Sequence, residues 1–156
     1  MSLFEIRKRK LLGTLLVTLQ FGLLAGLAAL ASAKALRGAF PLSSVILAGA
    51  SVALAIWTLV HNQPGNFNIR PTPKTWGTLV TTGPYRWIRH PMYTSVLMGG
   101  AALALMANPP FGWIAWCALA VVLVVKSIIE ERWMREQHPD YDDYRLESKR
   151  FVPWLW

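Results

Sequence analysis

Cysteine is almost missing from this chain: there is one among 156 residues, Cys117, in the middle of an apolar run. An intramolecular disulfide is therefore excluded, and no Cys or His spacing reads as a metal site. Cys117 reads as a small core or lipid-facing residue. Charge is scarce as well. Charged residues make up 15% of the chain and hydrophobic ones 54%, too apolar for an ordinary water-soluble domain. Acids are rarest of all: of eight, only Glu5 precedes Glu130. The net charge is +8, and a basic chain raises nucleic acid as a partner. Here, however, the Lys and Arg residues flank apolar runs, which points to lipid phosphates and away from nucleic acid. Internal repeats and low-complexity tracts are also lacking.

Long uncharged runs are what the chain does have. Residues 11–33 follow Arg7-Lys8-Arg9-Lys10, and residues 39–60, 92–107 and 111–129 are the other runs. About 20 apolar residues span a bilayer as a helix. The fold expected is therefore all-α integral membrane, with about four transmembrane helices near 11–33, 39–60, 91–107 and 111–129. Ala31-Ser32-Ala33 resembles a secretory cleavage site, but the run before it exceeds the roughly 7–15 residues of a signal's apolar core. Asn108-Pro109-Pro110 breaks runs three and four into an antiparallel hairpin. A Pro- and Gly-containing loop, 61–82, and a polar tail, 130–156, complete one domain. Its first part, 1–60, is a two-helix membrane unit; its second, 61–156, carries the motifs.

Smaller features carry local expectations. Gly22 and Gly26 form a G-x-x-x-G that marks a packing face, and Gly99-Gly100 admits a close helix neighbour. Lys126 lies near the end of run four, where it can snorkel. Glu131 with Arg135, and Arg132 with Glu136, are i,i+4 pairs that continue the helix until His138-Pro139. Asn66-Phe67-Asn68 reads as a turn, with contact to a ligand as the alternative. His61, Trp154 and Trp156 suit an interface. Four helices with both termini cytoplasmic leave fourteen Lys and Arg inside and two, Lys34 and Arg37, outside. The positive-inside rule favours that orientation, in a bacterial inner membrane or its equivalent.

Chemistry concentrates in two stretches. Gly83 to Ser95 joins the polar loop to run three. Pro91 suits the first turn of a helix, so Arg89 and His90 sit beside a helix N-terminus whose free N–H groups attract anions. Tyr93 can point the same way. The competing reading is an interfacial belt in which Arg snorkels and Tyr and Trp sit among head groups. The second stretch offers Glu130, Glu131, His138, Tyr141, Tyr144 and Arg150. Both stretches emerge on one side of the membrane, and opposite charges paired at membrane depth point to function. Glu130 and Glu131 stand about 100° apart on a helix, so at least one of them is expected to pair elsewhere, with Lys126 or Arg135.

The run Thr82-Gly83-Pro84-Tyr85 with Arg89-His90-Pro91-Met92-Tyr93, followed by Glu130-Glu131, Tyr141, Tyr144 and Arg150-Phe151-Val152-Pro153, resembles the isoprenylcysteine carboxyl methyltransferases. The Pro91-Met92-Tyr93 triplet is also similar to the related integral-membrane phospholipid methyltransferases. The resemblance covers residues 61–153. The chain departs from it at Ser95, where glycine is usual, and at His138-Pro139, where Phe-Gly is usual. It implies S-adenosylmethionine (SAM) as cofactor, held by His90, Tyr93, Glu130, Glu131, His138, Tyr141 and Tyr144. It places Arg89, Glu130 and Arg150 at the reacting centre. It implies a lipophilic acceptor, an isoprenylcysteine-like carboxylate, a phospholipid amine or another small lipid, and no metal.

Two other classes compete. Membrane sterol reductases carry a similar R-H-P-x-Y element and bind NADPH, but usually show Asn where this chain has Met92 and Gly-Glu where it has Thr94-Ser95. A non-enzymatic four-helix membrane protein would carry charges inside its helices; here the runs are almost charge-free. Binding of SAM, of NADPH or of neither separates the three.

Overall fold

The computed structural model describes residues 3–62, 78–107 and 109–155. Asn66-Phe67-Asn68, Arg70, Lys74, Asn108 and Trp156 lie outside the described residues. Among the described residues all regular structure is helical: α1 (Leu3–Leu36), α2 (Leu42–His61), a 3₁₀ turn (Gly83–Arg86), α3 (Pro91–Met106), α4 (Phe111–Gln137) and α5 (Tyr141–Glu147). This is an all-α integral membrane fold. Three helices, α1, α2 and α4, are long and apolar enough to cross a bilayer. With 16 residues, α3 rises about 24 Å, short of the hydrocarbon thickness, as its run length implied.

The apolar side chains mostly point outward. Val45, Ile46, Ile56 and Val60 on α2 are each more than half exposed, as are Leu11, Leu15 and Phe21 on α1. Such a surface suits lipid, where no burial against protein is needed. The internal core is small: Leu27 of α1 packs with Ala104 of α3 and with Leu119 and Leu123 of α4. α2 packs along α3, where Ser51 Oγ donates to the Ser95 carbonyl at 2.7 Å. A Cβ on Gly99 would lie 3.0 Å from Ser51 Oγ, and one on Gly100 would lie 2.9 Å from the Leu119 side chain. These two glycines therefore bring α3 close to both neighbours, as their size implied. Gly22 and Gly26 do not act this way, because a Cβ on either meets nothing within 4 Å. Cys117 is exposed on the outer side of α4.

Four helix ends gather on one face of the bundle. Arg9 near the start of α1 donates to both carboxylate oxygens of Glu136 near the end of α4, at 3.0 and 3.2 Å. Its guanidinium also lies 5.1 Å from the centre of the Trp133 ring. The end of α2 docks on the 3₁₀ turn: Gly83 has φ +61°, and any Cβ there would collide with the His61 imidazole. Glycine meets both demands at once. Helix α3 starts from this same face and α4 returns to it, so both motif-bearing stretches stand together.

Candidate active site

The approach to α3 is built by backbone pairing. Residues 87–90 run beside residues 149–150: Lys149 N–H donates to the Trp87 carbonyl at 2.9 Å, Arg89 N–H to Lys149 at 2.7 Å, and His90 N–H to Arg150 at 3.1 Å. Pro91 then opens the helix, and Thr94 N–H donates to the His90 carbonyl at 3.0 Å. Thr94 Oγ1 adds a bond to the Phe151 carbonyl at 2.7 Å. The C-terminal segment is thus laced to the start of α3, which aims Arg89, His90 and Arg150 at the end of α4.

Glu131 receives them. Its Oε1 accepts from Arg89 Nε at 3.0 Å and Arg150 Nε at 3.0 Å, with His90 Nε2 at 3.2 Å. Its Oε2 accepts from Arg150 Nη2 at 2.9 Å, and Arg145 Nε stands 3.7 Å away. Glu131 is 1% exposed. One carboxylate therefore faces three guanidinium groups and an imidazole, with most of its hydrogen bonds on Oε1. The contact with Arg150 is a two-point fork, the geometry that binds most tightly. Arg89 is committed too: its Nη1 donates to the Arg145 carbonyl at 3.2 Å and to the Ser148 carbonyl.

Glu130 reaches the same cluster from its edge. Its Oε2 accepts from Tyr93 Oη at 2.9 Å and lies 3.5 Å from His90 Nδ1. Its side chain is 28% exposed, so it faces outward as well as toward the histidine. The helical offset leaves both glutamates within reach of His90, and Glu130 also attracts Lys126, one of the two partners expected for the pair. His90 bridges them, one ring nitrogen to each. Burial opposes a charge on His90, but hydrogen bonds to Glu130 and Glu131 outweigh it and raise its pKa above 6.5. The His90 and Tyr93 rings are parallel within 5° and 5.3 Å apart.

Tyr141 and Tyr144 close the other side, with ring centres 5.9 Å apart. Tyr144 Oη donates to the Tyr85 carbonyl at 2.7 Å, and burial pushes the phenol up to about 12. Burial raises Tyr85 and Tyr141 as well. Tyr144 also walls a cleft of about 530 Å³ lined by Leu79, Thr81, Arg86, Asp140, Asp143 and Glu147.

Several expectations change. Among the described residues no hydrogen bond, ion pair or ring contact joins the His138 side chain to the cluster, and its backbone caps α4 and accepts from Tyr141 N–H at 3.1 Å. Neither i,i+4 pair on α4 forms: Glu131 turns to the arginines above, Arg135 to Asp142 at 3.4 Å and Glu136 to Arg9. Helix α4 continues regardless to Gln137, held by its neighbours. Lys126 does not snorkel. It is 1% exposed and donates to Gln20 Oε1 of α1 at 2.6 Å. Arg145 was not foreseen; its place four residues after Tyr141, on the same face of α5, was the available signal.

The chain is similar in sequence to known proteins. The nickel-cobalt-cadmium resistance protein NccN of Alcaligenes xylosoxydans xylosoxydans is 35% identical over 79 residues, 49% of this chain and 37% of that protein. The cobalt-zinc-cadmium resistance protein CzcN of Cupriavidus metallidurans is 35% identical over 80 residues, 50% of this chain and 37% of that protein. The match thus spans little more than a third of these relatives' length. No solved structure matches. The family model for phospholipid methyltransferases matches residues 42–140, from α2 through both glutamates, and the chain belongs to that family.

Proposed function

We propose that this protein transfers a methyl group from SAM to a lipophilic acceptor at the membrane surface, with both termini cytoplasmic. The observation that carries the reading is the convergence of the Arg89–Tyr93 and Glu130–Glu131 stretches into one cluster at the helix ends. The residues fit a zwitterionic, cationic donor. Glu130 is the accessible carboxylate and is suited to an ammonium group. The cluster's three arginines and raised-pKa His90 outnumber its carboxylates, Glu130, Glu131 and the Asp142 that pairs with Arg145 at 2.9 Å, which leaves positive charge for a carboxylate or an anionic acceptor. Among its buried polar atoms, Arg145 Nε has no hydrogen-bond partner. The cleft beside Tyr144 falls in the size range of small-molecule sites, and its Asp and Glu side chains suit a cation and ribose hydroxyls.

Bound SAM supplies a methyl group on a sulfonium, open to in-line attack. What the chain supplies is position. Glu131 fixes Arg89, Arg150 and His90, and His90 and Tyr93 fix Glu130. Tyr144, on the wall of the cleft, offers its ring to a cation. A carboxylate acceptor needs no base, whereas an amine acceptor needs one. The acceptor enters sideways from the bilayer, keeping its tail in lipid, while the charged donor enters from water. Helices α1 and α2 form the lipid-side wall, and residues 61–156 carry the chemistry.

The test uses purified protein in nanodiscs with labelled SAM and membrane lipid extracts. Extracts from cells grown with and without cobalt or cadmium are compared, because the relatives are named for resistance to these metals. Label is expected in a lipid fraction with wild-type protein and not with Glu130→Gln. Across acceptors sharing one head group, efficiency rises with tail length, up to about 0.8 kcal/mol per buried methylene. A wild-type protein that fails to bind SAM by calorimetry would overturn the reading, and equal efficiency for tailless acceptors would overturn the lipid route.

A further inference from the structure

Lys126 is a buried cation that the proposed chemistry leaves unused. It sits one turn before Glu130 on α4, at membrane depth, and is 1% exposed. Its Nζ donates to Gln20 Oε1 at 2.6 Å, and Gln20, on α1, is itself 6% exposed. The same Nζ stands 4.9 Å from the centre of the Tyr93 ring. Tyr93 in turn donates to Glu130 Oε2 and stacks on His90. A chain of contacts therefore runs from α1 through Lys126 and Tyr93 to the accessible carboxylate.

Burying an ammonium group between two helices is expensive, because the charge loses its water, and Glu130, one turn on, offsets part of that cost by attracting it. An apolar residue would pack there more cheaply. What an ammonium adds is a field on the phenol: a cation against a ring face attracts it. That attraction acts on the ring whose hydroxyl orients Glu130.

We propose that Lys126, held by Gln20, is a positioning residue for the methyl-transfer site, fixing Tyr93 so that its hydroxyl stays on Glu130. The inference rests on the reading of Glu130 as the donor-binding carboxylate, but its first test does not. A 3-fluorotyrosine is placed at position 93, and its ¹⁹F resonance is followed in detergent. Lys126→Met is expected to shift that resonance, and Gln20→Leu to shift it in the same direction. An unmoved resonance in Lys126→Met overturns the proposal whether or not SAM binds.

The second test is SAM affinity by calorimetry. Lys126→Met is expected to weaken binding about tenfold, the loss of one charge-assisted contact, and Tyr93→Phe similarly. The double variant is expected to lose no more than either single one, because both act through one contact. Additive losses overturn the proposal. The exchange Gln20→Lys with Lys126→Gln separates positioning from mere helix pairing. It keeps the hydrogen bond but moves the cation off Tyr93. Thermal stability is then expected to recover while affinity does not, and recovery of both would reduce Lys126 to a structural link. Absent SAM binding in wild-type protein with an intact ¹⁹F response would overturn the functional reading and leave the Lys126–Tyr93 coupling standing.

Discussion

Replacing Glu131 by Gln tests the architecture at its most connected atom pair. The carboxylate holds Arg89 and Arg150 at 2.9–3.0 Å, with His90 at 3.2 Å and Arg145 at 3.7 Å. The amide removes the charge that balances them and turns one acceptor oxygen into an NH₂ that faces other donors. Losing one partner of a buried ion pair costs about 3–5 kcal/mol, because the charges left behind stay desolvated. Against a domain stability on the order of 5–15 kcal/mol, that is a large share. The loss falls on a particular place. Arg89 and Arg150 tie the C-terminal segment to the start of α3, so that segment is expected to detach before the bundle unfolds. Unfolding in mild detergent, followed by tryptophan fluorescence, measures the first effect. Trypsin measures the second, because Arg145 and Lys149 become cleavable when the segment lifts. Glu130→Gln is the control: its carboxylate is partly exposed, and its loss is expected to cost about 1 kcal/mol. Wild-type stability and wild-type trypsin resistance in Glu131→Gln would refute the reasoning.

Glu130→Gln and Tyr93→Phe are expected to weaken SAM binding about tenfold while lowering the melting temperature by no more than about 2–4 °C, read by calorimetry and thermal scans. The His90 pKa lies above its ordinary 6.5 in the fold, so protonated His90 contributes stability that is fully present below 6.5 and lost as pH rises through the raised value. Detergent-unfolding midpoints measured across that window should fall in wild type and stay flat in His90→Gln. Arg89→Lys keeps the charge but not the fork that reaches Glu131, Arg145 and Ser148, so it should increase trypsin cleavage of the tail. His138→Ala should match wild type in SAM affinity, since among the described residues no hydrogen bond, ion pair or ring contact joins its side chain to the cluster.

The fold was legible because bilayer thickness writes itself into run length. Four uncharged runs and the Asn108-Pro109-Pro110 break located the helices, though α1 begins at Leu3 and α4 extends to Gln137, beyond the apolar runs, and Pro91 marked the start of α3. The meeting of the two motif stretches followed from hairpin geometry. Pair partners were not legible. Local spacing offered Glu131 to Arg135 and Glu136 to Arg132, but the competing partners lay 42 residues away for Arg89 and 127 for Arg9. For Glu131, buried guanidinium contacts outweigh an exposed helical pair, which is worth only a few tenths of a kcal/mol; for Glu136, the Arg9 fork replaces one exposed pair with another. Lys126 misled for a related reason: a lysine near a helix end snorkels only if no acceptor stands inside, and Gln20, on another helix, supplies one.

The two glutamates divide the work by depth of burial rather than by helix face. Glu131 is sealed among cations and makes the fold at this end of the bundle depend on charge balance, much as a disulfide would in an oxidising compartment. A chain with one cysteine has no such covalent option. Glu130 keeps an open edge because the Tyr93 phenol and one imidazole nitrogen both meet its Oε2, which orients it without exhausting its lone pairs. His90 links the two, so any change in the charge of the sealed carboxylate reaches the open one through a single ring. Stability and ligand binding at this surface are therefore expected to be coupled through His90, with His90→Gln disconnecting them. In that variant, the effect of Glu131→Asp on SAM affinity should shrink relative to its effect in wild-type protein. A double-mutant cycle on affinity measures the difference, and strict additivity would show that the two carboxylates act independently.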